Sequence, residues 1–81
     1  MASMTALVLD FHRDAKRRPF ASVADAATRQ TFIAYEKLDK AGLFDNVAKG
    51  DVINIAFTIH PMPPTKKHPE GNVKLVVHDI I

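Results

Sequence analysis

The chain has no cysteine, so no disulfide braces it, no thiolate ligates a metal and no redox chemistry runs on sulfur. It has only three glycines, Gly42, Gly50 and Gly71, too scattered to build a phosphate-cradling loop. No serine nucleophile motif is present. No apolar run approaches the roughly 20 residues of a membrane-spanning helix, so no membrane partner is expected. The start, Met1-Ala2-Ser3-Met4, lacks a charged n-region, and residues 5–9 are too short for the apolar part of a secretory signal. The expected location is therefore the cytoplasm. Met4 is a second candidate start, which would make residues 1–3 an addition. With 81 residues, the chain is expected to form one domain, residues 1–81, with a small core and modest stability. Lacking staples, it must draw that stability from good packing or self-association. Its 25% charged and 47% hydrophobic content is ordinary for a folded protein and argues against disorder.

The strongest pattern lies in the last thirty residues. Between 51 and 60 the apolar residues alternate: Ile53, Ile55, Phe57 and Ile59 against Asn54, Ala56, Thr58 and His60. Between 72 and 81, Val73, Leu75 and Val77 alternate with Lys74, Val76 and His78. Period-two alternation with β-branched residues predicts two strands of a hairpin. Folded about Lys66, the hairpin sets Ile59 opposite Val73, Phe57 opposite Leu75 and Thr58 opposite Lys74. A one-residue slip would mix the faces. The tip, residues 61–71, is long, proline-rich and basic.

Residues 5–11 (TALVLDF) read as a first strand, with Leu7, Leu9 and Phe11 on one face. Residues 12–21 read as a basic connection that Pro19 keeps out of a helix. Residues 22–41 read as a helix, with Ser22 as N-cap and Asp25 three residues on. In that helix Val23, Ala27, Ala34, Leu38 and Ala41 form an apolar stripe that would cover the hairpin. Glu36 and Lys40 would pair on its outer face, and Gly42 would end it. Phe32 falls among the charged residues and is the candidate partner or dimer contact. Residues 43–50 read as a connection with Leu43, Phe44 and Val47 turned inward. The expected fold is thus α+β: a single small β-α-β-β domain with one helix packed on a three-stranded sheet. Two open sheet edges would remain, and they predict a homodimer.

The net charge is only +2, but it is unevenly placed. Arg13, Lys16, Arg17 and Arg18 sit together with only Asp14 among them, and Lys66, Lys67 and His68 sit at the hairpin tip. Such clusters favour polyanions or acidic protein surfaces. The histidines, His12, His60, His68 and His78, match no metal-binding spacing. In the expected register His60 and His78 lie roughly 20 Å apart, at about 3.3 Å per residue. No metal site is expected from them. Aspartates at strand ends and turns are the remaining catalytic candidates: Asp10, Asp25 and Asp45, which would need Mg²⁺.

The order of a strand, basic Lys16-Arg17-Arg18-Pro19, a helix ending Lys37-Leu38-Asp39-Lys40-Ala41-Gly42-Leu43-Phe44-Asp45, and a hairpin with a lysine-rich tip resembles the core of RusA-like Holliday junction resolvases. The resemblance runs from about Leu7 to Val77. It implies a small dimeric protein that binds four-way DNA junctions and cuts them with aspartate-held Mg²⁺. Aligned on Ala41-Gly42, the family's two acidic helix positions fall on Ala26 and Thr28, and its lysine falls on Phe32. The resemblance therefore implies DNA binding without cutting.

Three functions follow as expectations. The first is binding of structured or duplex DNA through Arg13, Lys16, Arg17, Arg18, Lys66 and Lys67, with His60 and Lys74 adding to the surface. Single strands fit less well, because the polar face of the hairpin offers no aromatic for stacking. The second is an inhibitor or adaptor of a phage or mobile element, meeting an acidic protein partner through a sheet edge and Phe32. The third is a Mg²⁺-dependent nuclease. Outside that last case no cofactor is expected.

Overall fold

The structure, a computed structural model, describes residues 1–81. It contains five strands and no α-helix: β1 (Ala2–Arg13), β2 (Pro19–Asp25), β3 (Thr31–Glu36), β4 (Val52–Met62) and β5 (Asn72–Ile80). The strands close into a barrel in the order β1-β2-β3-β5-β4, and β4 returns to β1. Every pairing is antiparallel except that of β3 with β5. Long β1 serves two neighbours, pairing with β4 through its first half and with β2 through its second. A register shift in the β1–β2 pairing falls between Val8 and Asp10. There the Val8 amide donates to the Asp51 carbonyl at 2.8 Å, and the Val8 carbonyl accepts from the Gly50 amide at 2.8 Å.

This all-β barrel overturns the α+β expectation. Residues 22–41 form no helix but the end of β2, a turn and all of β3. The expected helical stripe is largely alanine, a residue that packs equally well inside a narrow barrel. Of its members only Val23 and Ala34 are buried. The decisive pattern there has period two. Ala21 and Val23 face inward while Phe20, Ser22 and Ala24 face outward; Ala34 and Glu36 face inward while Thr31, Ile33 and Tyr35 face outward.

Asp25 caps no helix. Its Oδ1 accepts from the Ala27 amide at 2.8 Å and its carbonyl accepts from Arg29 at 2.7 Å, where Arg29 takes a φ of +62°. Such a local side-chain bond favours a turn over a helix. Glu36 makes no surface pair with Lys40. It is buried, and its Oε2 accepts from the amides of Gly42 at 3.0 Å and Phe44 at 2.8 Å.

The two strands of the C-terminal hairpin form with the expected faces, but the register differs by two residues. Ile59 lies opposite Leu75, Phe57 opposite Val77 and His60 opposite Lys74. A two-residue slip preserves both faces, so hydrophobic alternation alone cannot select between the two alignments. β4 also runs on through Pro61 and Met62, which lengthens the ladder beyond the expected tip. In β1 the inward residues are Ala6 and Val8, whereas Leu9 is exposed.

The core comprises Ala6, Val8, Ala21, Val23, Ala34, Ile55, Phe57, Leu75 and Val77 from the strands and Phe44 from the β3–β4 connection. That connection is a single 3-10 turn, Leu38–Lys40, followed by further turns. Phe44 packs at 6.1 Å from the Phe11 ring, with Leu43 and Val47 against the core beside it. All three turn inward, as their place in the sequence suggested. Barrel closure removes the two open edges that predicted a homodimer or an edge-docking adaptor. Phe32 is partly buried against the core, so it is not the isolated exposed ring expected on a charged helix face. No helix is long and apolar enough to cross a membrane.

Candidate functional site

The outer faces of β1, β2 and β3 carry a ladder of aromatic rings. Registration sets His12 opposite Phe20 and Phe20 opposite Tyr35. Both ring pairs have centroids 5.2 Å apart, with interplanar angles of 30° and 31°. This is the spacing of offset stacking. His12 is fixed by a 3.0 Å hydrogen bond between its Nε2 and Ser22 Oγ. Ser22, expected as a helix cap, thus orients a ring of the ladder.

Two cations bracket the far end. The Arg18 guanidinium lies 4.9 Å from the Tyr35 ring centre and Lys74 Nζ lies 5.2 Å from it. Both fall within cation–π range. Arg18 is held there by the β1–β2 loop, which Asp14 organises. Asp14 Oδ1 accepts from the amides of Arg18 at 2.8 Å and Lys16 at 2.9 Å, and Oδ2 accepts from the Tyr35 hydroxyl at 3.3 Å. Arg17 takes a φ of +61°, and its carbonyl accepts from Arg13 Nη1 at 3.0 Å. These bonds, above all that from the Arg18 amide, hold the Asp14 carboxyl below its ordinary value. Burial, then the Asp14 charge, raises the Tyr35 phenol above its own.

The basic residues expected to bind nucleic acid fall around this ladder. Arg13, Lys16, Arg17 and Arg18 lie at the end of β1 and in the β1–β2 loop, on one side. Lys66 and Lys67 lie on the β4–β5 loop, and His60 and Lys74 form a cross-strand pair at its base. The one ion pair in the molecule is Lys37 with Asp39, at 3.2 Å. No lysine or arginine around the ladder is therefore held in an ion pair.

The catalytic candidates do not converge. Asp25 closes the β2–β3 turn, Asp10 Oδ1 accepts from the Phe11 amide at 2.9 Å, and Asp45 lies on the β3–β4 connection. No three His, Asp or Glu side chains are grouped to hold a metal ion. His60 and His78 are much closer than expected, since the Nε2 atoms of both bond Thr58 Oγ1, at 2.9 and 3.1 Å. The altered register brings them together.

The chain matches no family model, no curated protein and no solved structure. Its strand order, with parallel β3–β5 closure and β1 shared between β2 and β4, makes a five-stranded Greek-key barrel.

His12, Phe20 and Tyr35 are the functional candidates that sequence reasoning missed. The signal was the alternation in 20–24 and 31–35 on either side of a turn-forming Asp25. Read as strands, the two segments place Phe20 and Tyr35 on one face.

Proposed function

We propose that this protein binds single-stranded nucleic acid across the outer face of β2 and β3, between the β1–β2 and β4–β5 loops. The observation that carries this reading is the His12–Phe20–Tyr35 ladder flanked by unpaired cations. Bases unstacked from their own strand find flat aromatic surfaces there, and every base has such a surface to offer. Phosphates find Arg13, Lys16, Arg17, Arg18 and Lys74 on one flank and centre, and Lys66 and Lys67 on the other. Barrels of this type bind oligonucleotides or oligosaccharides on this same face. Because fold alone does not set function, the basic flanks are what favour a polyanion over a neutral sugar.

The aromatics reverse the preference expected from sequence. Duplex and four-way junction DNA keep their bases stacked inside and offer this ladder only a charged backbone. Sequence preference should be weak, since every base offers a face to stack.

The test is fluorescence anisotropy with labelled single-stranded, duplex and four-way-junction DNA at low and moderate salt. The expected result is tightest binding to the single strand, with a log K versus log salt slope of about −0.7 per phosphate contacted. Tighter binding to the duplex or junction, or no binding to any of the three at low salt, overturns the proposal.

A further inference from the structure

Beyond Tyr35 the face continues into a groove of about 670 Å³ between the 3-10 turn and the β4–β5 ladder. Val76 and Thr58 line it, and Leu38 stands beside them with 78% of its surface exposed. Ile59, 58% exposed, lines the groove too, so it offers apolar surface among cationic and polar groups. Lys74, which already touches the Tyr35 ring, also lines the groove, so the groove begins where the ladder ends.

His60 and His78 both turn Nε2 into this space, onto the one hydroxyl of Thr58. A threonine hydroxyl has a single hydrogen to give. While it donates to one imidazole, it can accept only from the N–H of the other. A phosphate oxygen among the same groups would change the balance, because two imidazolium N–H groups beside Lys74 would then donate to a negative charge.

Resting on the single-strand reading, we propose that this groove is a nucleotide subsite. It takes the nucleotide next to the one stacked on Tyr35, with the base against Leu38 and Val76. The adjoining phosphodiester lies among Lys74, His60 and His78. A phosphate held by both rings favours their protonated forms, so single strands bind more tightly at lower pH.

Three cations and three carboxylates surround the pair. Arg18, from the β1–β2 loop, and Lys74, from β5, are free cations. Lys37 follows β3, and its charge is met by Asp39 in the 3-10 turn. Glu36, at the end of β3, has Oε2 committed to the amides of Gly42 and Phe44. Asp79, next to His78, is exposed, its Oδ1 accepting from the Ile80 amide. Arg18 and Lys74 are thus the cations that a phosphate entering the groove meets beside the two rings.

The experiment measures the affinity of labelled oligothymidylate at pH 8 and pH 6 for the wild type, Leu38→Ala and the double variant His60→Gln/His78→Gln. Wild-type binding should tighten on going to pH 6, by at most about tenfold per pH unit for each proton taken up. The double variant should bind more weakly than the wild type at both values and lose the gain at pH 6. Leu38→Ala should weaken binding at both values. NMR titration of the ring Cε1–H signals should show the His60 and His78 midpoints rising when oligothymidylate is added.

If the double variant keeps the full pH gain, the effect belongs to His12 or His68 and the subsite is overturned while the single-strand reading stands. Midpoints of His60 and His78 that do not move overturn it equally. If the wild type binds no oligothymidylate at either pH, the underlying reading fails instead.

Discussion

Exchanging Phe20 for leucine removes an aromatic face and leaves an apolar side chain between His12 and Tyr35. Phe20 is the central rung, 5.2 Å from each neighbouring ring. Base–aromatic stacking is worth about 1–3 kcal/mol per base by alanine substitution. At about 1.4 kcal/mol per factor of ten, Phe20→Leu should weaken binding of a single strand by roughly 5- to 150-fold. Leucine keeps much of the apolar packing, so the fold should be destabilised by only about 1 kcal/mol. The assay has a built-in probe. Tyr35 is the only tyrosine and there is no tryptophan, so intrinsic emission reports one rung of the ladder. Oligothymidylate should quench Tyr35 emission in the wild type, and far higher concentrations should be needed in Phe20→Leu. The salt slope should stay the same, because the cations that meet the phosphates are untouched. An affinity within about twofold of wild type, with unchanged quenching, would refute stacking as the source of binding, since twofold is well below the smallest stacking contribution.

Three further outcomes are expected. Reversing charge with Lys16→Glu and Arg17→Glu should weaken binding to all sequences and flatten the salt slope by about 0.7 for each phosphate no longer neutralised, as read by anisotropy over a salt series. Glu36→Ala strands the buried Phe44 amide, frees the part-buried Gly42 amide to water and should cost roughly 2–4 kcal/mol, at about 1–3 kcal/mol for the buried unsatisfied group plus the packing of the removed side chain. Glu36→Gln, which keeps an acceptor, should cost far less in the same urea melts. The Tyr35 phenol should ionise above its ordinary value when followed by ultraviolet absorbance, with the midpoint lower in Asp14→Asn. A raised folded value means that this contribution to stability is complete below the unfolded tyrosine value and is lost as pH rises through the folded one. For Asp14 the shift is downward, so its contribution is complete above the ordinary carboxylate value and is lost as pH falls through the depressed one.

The C-terminal hairpin was legible because its inward set, Ile55, Phe57, Leu75 and Val77, is large and β-branched or aromatic. Period two was the only pattern those residues could fit. Its register was not legible, since alignments two residues apart bury the same side chains. Residues 22–41 were ambiguous for a different reason. A barrel of five strands leaves little room inside, and Ala21 and Ala34 fill it where a wider fold would use leucine. Alanine also has the highest helix propensity, so residues chosen for size read as residues chosen for helix. The parallel β3–β5 pairing that closes the barrel joins segments some forty residues apart and leaves no local trace in the chain.

The two halves of the candidate site differed in the same way. Arg13, Lys16, Arg17 and Arg18, and also Lys66 and Lys67, stood out because clustered charge beside proline marks an exposed segment in any fold. The ladder between them was hidden, since His12, Phe20 and Tyr35 acquire meaning only when three strands are registered. The basic clusters alone are compatible with any polyanion, including a duplex. On the proposed reading, stacked rings between them select a ligand whose bases are free, and the register of β1, β2 and β3 makes that selection. A substitution that shifts this register, such as a proline at Ser22, should therefore abolish the preference for single strands while leaving weak, salt-sensitive binding of both forms, as long as the barrel still folds. If discrimination between single strand and duplex survived such a shift, the loops and not the ladder would have to be its source.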